Sequence, residues 1–278
     1  MKILVTGAKG QLGYDVLKEL SRRDIPHKGI DLDDCDITDK SAVFAVIEVY
    51  APTAVIHCAA YTAVDKAEDE PELCRKINED GTRNIAEACK QVDAKMIYIS
   101  TDYVFPGTGD HFYKPTDATA PLSVYGKTKL AGEKVVLNTL DKYFIVRISW
   151  VFGQDGNNFV KTMLRLGKER DTLNVVCDQV GSPTYTADLA PLLCDMADSD
   201  KYGIYHATNE GVCSWAEFAK EIFRQVGMDV VVNPIQSSEY PTKAVRPFNS
   251  RMDKYCLDEG GFKRLPDWED ALMRHLTL

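Results

Sequence analysis

The 278-residue chain has no CxxC pair, no block of basic residues, no apolar run of membrane-spanning length and no internal repeat. Each absence removes a class of protein. The eight cysteines, at 35, 58, 74, 89, 177, 194, 213 and 256, sit mostly inside apolar runs, as buried reduced thiols do, so neither a disulfide framework nor a zinc site is expected. The five histidines, at 27, 57, 111, 206 and 275, show no metal-ligand spacing with one another or with cysteine, and no metal is expected. A formal charge of −9 spread over both halves argues against nucleic acid or an anionic membrane as the partner. The short apolar run ahead of Thr6 and Gly7 is too brief for a signal sequence, and the cytoplasm is the expected compartment. What remains is a globular chain, 45% hydrophobic, long enough for one large domain or one and a half.

The segment LVTGAKGQLG, residues 4–13, follows an apolar run that reads as a first β-strand. Gly7, Gly10 and Gly13 fall at a GxxGxxG spacing, which lets the chain turn sharply, bring bare amides against a pyrophosphate and start a helix beneath it. An ordinary strand-to-helix turn has the same look. The strand Lys2 to Thr6, the amphipathic stretch Gln11 to Ser21 and an acid eighteen positions past the last glycine, Asp31, supply the βαβ unit that a dinucleotide fingerprint requires. Asp31 suits the ribose hydroxyls of NADH, whereas Lys9, inside the loop, suits the 2′-phosphate of NADPH. Both cofactors are therefore expected.

Short β-rich runs at Lys2 to Thr6, His27 to Ile30, Ala54 to Ile56, Lys95 to Ser100 and Phe144 to Ser149 alternate with helical patterns at about 11–21, 39–50, 70–92 and 124–138. Such alternation specifies an α/β fold of Rossmann type, a doubly wound parallel sheet. From Gly153 the order loosens, with helical stretches near 157–168, 186–198 and 214–227 between strand-like Leu173 to Val176, Gly203 to His206 and Val230 to Val232. The expected division is an NAD(P)-binding domain over 1–153 and a smaller, mainly substrate-binding C-terminal lobe over 154–278, interleaved where segments return to the sheet. Glu68 to Glu72 reads as a solvated helix start around Pro71.

Two tyrosines have a lysine four positions on: Tyr14 with Lys18, and Tyr125 with Lys129. On a helix each pair shares a face, where a lysine cation lowers a phenol's pKa toward the working range. Tyr14 and Lys18 fall below the phosphate loop and read as surface. Tyr125 and Lys129 open the helix after strand four, at the carboxyl side of the sheet where ligands of open α/β folds bind. That strand ends in Thr101, beside Asp102 and Tyr103. Hydroxyl, phenol and lysine together suggest carbonyl reduction, with Thr101 on the substrate oxygen, Tyr125 as proton donor and Lys129 tuning Tyr125 and holding the nicotinamide ribose. A Thr-Asp turn cap is the plainer reading of Thr101. His57 and Cys58 end strand three near the cofactor, Asp65 and Lys66 read as an ion pair or a closing loop, and Arg246 and Arg251 are either diphosphate ligands or surface arginines.

VTGAKGQLG (5–13), HCAAYTAVDKAE (57–68), STDYVF (100–105), YGKTKLAGE (125–133), SWVFG (149–153), NFVKTMLRL (158–166) and DQVGSPTYTADLA (178–190) make the chain resemble, over nearly its full length, the extended short-chain dehydrogenase/reductases, most closely the dTDP-4-dehydrorhamnose reductases. The resemblance implies that Thr101, Tyr125 and Lys129 are the catalytic set. It implies a cofactor site of Gly7, Lys9, Gly10, Gln11, Leu12, Gly13, Asp31, Asp36, Ile37, Ala59, Ala60, Tyr61 and Ser100, besides Tyr125 and Lys129. It sets Val64, Asp102, Tyr103, Trp150, Asn158 and Arg246 toward a dTDP-linked 4-keto-6-deoxy sugar, and is compatible with a homodimer. The implied reaction is NAD(P)H-dependent reduction of dTDP-6-deoxy-L-lyxo-4-hexulose to dTDP-L-rhamnose. The related 4,6-dehydratases carry a glutamate where this chain has Tyr103, so reduction is favoured over elimination of water. Epimerases share the Tyr-Lys machinery, another deoxysugar is an alternative substrate, and a methionine adenosyltransferase regulatory subunit resembles the same family. Intact Thr101, Tyr125 and Lys129 weigh against that non-catalytic alternative.

Overall fold

In the computed structural model, which describes residues 1–277, six parallel strands form the central sheet. They are β1 (Ile3–Thr6), β2 (His27–Ile30), β3 (Ala54–His57), β4 (Lys95–Thr101), β5 (Tyr143–Ile148) and β6 (Gly203–His206), ordered β6-β5-β4-β3-β1-β2. Because side chains alternate across a strand, each buried strand feeds two cores. Ile3, Val5, Ile56 and Ile97 meet Leu12, Val16 and Leu20 of the helix Gln11–Arg22 and Leu189 and Leu193 of Thr186–Asp198. Leu4, Val55, Met96 and Ile145 face the other way, onto Val43 and Ile47 of Lys40–Tyr50, Ile85 and Cys89 of Thr82–Gln91, and Val135 and Val136 of Val124–Thr139. The strand order reverses between β1 and β3, and this switch point opens the cleft above the strands' carboxyl ends.

A second, smaller core lies beyond Trp150. Phe152, Val160, Leu173, Phe218, Ile222, Trp268 and Leu272 pack between the helices Phe159–Glu169, Trp215–Val226 and Trp268–Leu276. Three small sheets cover it; one has Val180–Gly181 paired with both Cys213–Ser214 and Asn249–Ser250. Chain order and layer part company here. Thr186–Asp198 and Gly203–His206 come late in the sequence but belong to the first layer, since β6 pairs with β5 and the helix buries Leu189 and Leu193 on that sheet.

The helical pattern at 70–92 is one continuous rod with a wider π turn over Lys76–Gly81. That turn places Asn78, 1% exposed, where its side chain bonds both the amide and carbonyl of Tyr61 as well as Thr128. The acids at 68–72 do more than meet solvent. Glu68 accepts the amide of Val124 at 2.8 Å, and Glu70 accepts the phenol of Tyr61 at 2.8 Å.

Candidate active site

The cleft has a volume of about 690 Å³ and runs from the glycine loop to Trp150. At one end Gly7 has φ +65°, and a Cβ on it would meet the Ala59 amide nitrogen at 2.7 Å; a Cβ on Gly13 would meet Gly7 O at 2.1 Å. The helix that follows makes no side-chain capping bond at Gly10, and its first-turn residues Gln11, Leu12 and Gly13 line the cleft. Bare backbone, a helix amino end and no intervening side chain fit a dinucleotide pyrophosphate. Thr6 and His57 brace the floor through a 2.7 Å hydrogen bond. Burial pushes His57 down to about 3, so it is a neutral structural ring.

Beside the glycine loop, just past the end of β2, Asp31 accepts the amides of Lys9 and Leu32, each at 2.8 Å, through different carboxylate oxygens. Lys9 does not stand free for a phosphate: its ammonium lies 2.6 Å from Asp33. Asp36, Ile37, Ala59, Ala60 and Ser100 also line the cleft. Tyr61 does not; its phenol is turned onto Glu70, and Thr62 takes the lining position.

Ser123 caps the helix Val124–Thr139 and Gly126 lets it approach the Asp102–Val104 turn, where a Cβ would meet Tyr103 O at 2.3 Å. Tyr125 thereby comes edge-on to Tyr103, ring centroids 5.4 Å apart, and lies in the cleft with Thr101 and Lys129. Thr101 is also the cap of its turn, accepting the Tyr103 amide at 3.2 Å. The turn cap and a place in the cleft are thus compatible at Thr101.

The expectation that Lys129 lowers the Tyr125 pKa is corrected. Burial pushes Tyr125 well up, offset in part by Thr101, and Lys129 does not reach it: its Nζ lies 4.1 Å from the centre of the Tyr98 ring. Lys129 is 2% exposed, and burial brings its ammonium down to about 7 against the pull of Glu133 one turn on. Glu133 accepts Ser100 at 2.5 Å and both Nε and Nη2 of Arg147, at 2.9 and 2.8 Å. This buried pair went unread in the sequence. Continuing the i, i+4 step from Tyr125 through Lys129 reaches Glu133, which was the available signal.

Val64, Asp102, Tyr103 and Trp150 line the far end. Trp150 has φ +50° and stacks at 3.7 Å on Trp215. Asn158 is corrected: it caps Phe159–Glu169 and donates to Gln11 and Gly153, each at 2.9 Å, while Asn157 lines the cleft in its place. Asp65 pairs not with Lys66 but with Arg246, at 2.5 Å, and Arg246 reaches the Tyr103 phenol at 3.3 Å. Lys66 pairs with Glu70, and Arg251 holds Asn249 at 3.0 Å. Among the described residues no group of His, Cys, Asp and Glu is arranged to hold a metal, and no helix is long and apolar enough to cross a membrane.

The family model of the RmlD substrate binding domain matches residues 1–278. The chain is 42% identical over 286 residues to a dTDP-4-dehydrorhamnose reductase of Aggregatibacter actinomycetemcomitans, covering 98% of this chain and 97% of that protein. It is 44% identical over 276 residues to a dTDP-4-dehydrorhamnose reductase of Streptomyces griseus, covering 97% and 91%. The crystal structure of dTDP-4-dehydrorhamnose reductase from Bacillus anthracis str. Ames in complex with NADP is 46% identical, with a TM-score of 0.97 over 100% of this chain and 99% of that one. With the fold, the glycine cradle and these full-length likenesses together, the chain belongs to the dTDP-4-dehydrorhamnose reductase family of NAD(P)H-dependent oxidoreductases, within the extended short-chain dehydrogenase/reductases.

Proposed function

We propose that the chain reduces the C4 ketone of dTDP-6-deoxy-L-lyxo-4-hexulose, giving dTDP-L-rhamnose, with NADPH or NADH, in the cytoplasm. The observation that carries this reading is the meeting of Thr101, Tyr125 and Lys129 on one wall of a cleft whose other end is the glycine loop. When bound, the dinucleotide supplies the hydride. The chain's own residues hold the sugar and manage the proton. Burial keeps the Tyr125 phenol protonated at neutral pH, so it stands as the acid for the developing alkoxide. Lys129, its ammonium backed by Glu133, lies in the same cleft and would hold the ribose beside the nicotinamide. Thr101 supplies a second polar contact to the ketone oxygen. Tyr103, at the position where a dehydratase carries glutamate, leaves elimination without a proton carrier. Val64, Asp102, Tyr103 and Trp150 form the sugar end, with Arg246 behind Tyr103.

The test supplies the 4-keto sugar with NADPH or NADH and follows cofactor absorbance. The expected result is one reduced cofactor consumed per sugar reduced, by a protein that purifies largely without dinucleotide. Stoichiometric co-purified dinucleotide, with sugar interconversion and no absorbance change, replaces this reading with an epimerase.

A further inference from the structure

The Thr101 hydroxyl is already engaged. It donates to Oδ1 of Asp102 at 3.0 Å while its oxygen accepts the Tyr103 amide at 3.2 Å. The second oxygen of that carboxylate, Oδ2, accepts the hydroxyl of Ser250 at 2.5 Å, from a strand 148 residues further along the chain. Thr101, Asp102 and Ser250 are 5%, 3% and 3% exposed, so water does not dissolve the chain of bonds. Ser250 is held in register by pairing with Gly181, on which a Cβ would come within 2.8 Å of the Ser250 Cβ. A hydroxyl has one proton to give. While the Asp102 carboxylate takes it, Thr101 offers the cleft a lone pair; when Asp102 carries a proton of its own and donates it to Thr101, the Thr101 proton is released toward the ketone oxygen.

We propose that Ser250 is a positioning residue for ketone reduction: by donating to Asp102 it fixes the orientation and charge of that carboxylate, and through it the direction in which Thr101 gives its proton. The inference rests on the reductase reading and gives the sugar-side lobe a hand in the chemistry of the cofactor side. Burial pushes Asp102 up to about 6, and the bonds from Ser250 and Thr101 keep it from rising further. Tyr103 follows it on the same turn, Tyr125 faces it from the helix Val124–Thr139, and Arg246 stands beyond the Tyr103 phenol. Among the described residues no cation pairs with Asp102.

The experiment is the pH dependence of kcat/KM for the 4-keto sugar in wild type, Asp102→Asn, Ser250→Ala, Ser250→Cys and Ser250→Thr. Wild type shows a titration near pH 6 that vanishes in Asp102→Asn, while a separate one near 7 from Lys129 stays. Ser250→Ala moves the lower midpoint up by about one unit, the worth of a hydroxyl bond to a carboxylate. Ser250→Cys, nearly the same shape with a weak donor, moves it the same way, and Ser250→Thr restores it. A Ser250→Ala or Ser250→Cys profile lowered uniformly, with its midpoint unmoved, makes Ser250 a packing residue and overturns the inference. Wild type that oxidises no cofactor with the keto sugar overturns the reductase reading itself.

Discussion

Two helices in this molecule carry a tyrosine with a lysine four residues on, and the fold uses them in opposite ways. In Gln11–Arg22, Tyr14 is 45% exposed and Lys18 meets solvent; the cleft sees that helix through the bare backbone around Gly10 and Gly13. In Val124–Thr139 the same spacing turns inward, with Lys129 2% and Glu133 1% exposed, and the cleft sees side chains. The i, i+4 step only puts two groups on one face. Burial brings Lys129 to about 7 and pushes Tyr125 up, so chemistry follows from which face the sheet covers.

The largest effect is expected where the first helix works through backbone. Gly13→Ala drives a methyl against Gly7 O, at 2.1 Å, and backbone has nowhere to yield. Calorimetric titration is expected to show no measurable NADPH or NADH binding. Wild-type affinity in this variant would end the claim that the first helix acts through its amides.

The second helix breaks through its buried charges. Glu133→Gln leaves Arg147, 3% exposed, without its carboxylate and is expected to cost about 3–5 kcal/mol in denaturant unfolding. It also removes a charge that holds Lys129 up, so the activity limb near pH 7 moves down. A limb that stays in place contradicts the coupling between the two residues.

Asp102→Asn separates stability from function. The folded-state pKa of Asp102 is raised from 3.8 to about 6, so its favourable contribution is complete below about 3.8 and is lost as pH rises through 6. A rise of about two units costs the wild type about 3 kcal/mol above that range, a cost the neutral amide avoids. Unfolding midpoints are expected to favour Asp102→Asn above pH 6 and to converge toward pH 4, while its kcat/KM profile loses the step near pH 6. Parallel curves at both pH values exclude an ionised buried Asp102.

The smallest effect belongs to the exposed end of the first helix's loop. Asp33→Ala releases Lys9 and is expected to shift the kcat/KM ratio toward NADPH by at most about fivefold, as suits a solvent-exposed pair. An unchanged ratio removes Lys9 from the choice of cofactor.

Five of the six sheet strands and the helices flanking them were legible because short β-rich runs, mostly apolar throughout, alternate along the chain with stretches whose apolar residues recur every third or fourth position. The sixth, Gly203–His206, was visible as a strand, but its place beside β5 was not, since pairing across that distance leaves no local mark. The helix Trp268–Leu276 passed unread although Asp267 caps it, a signal that was available. At the site, motif residues were legible and their partners were not. Asp65 with Arg246, and Asp102 with Ser250, lie 181 and 148 residues apart, and only the fold joins them. Asn158 and Tyr61 misled because each belongs to a segment that borders the cleft while its own side chain serves a helix cap or a neighbouring acid.

The contrast between the two helices meets its most direct test in one side-by-side assay, Tyr125→Phe and Tyr14→Phe against wild type, turning over the 4-keto sugar at saturating cofactor. Tyr125→Phe is expected to lose about a hundred- to ten-thousandfold in kcat with cofactor affinity nearly unchanged, and Tyr14→Phe to match wild type. Wild-type turnover in Tyr125→Phe, or a comparable loss in Tyr14→Phe, contradicts the assignment of the chemistry to the inward-facing pair.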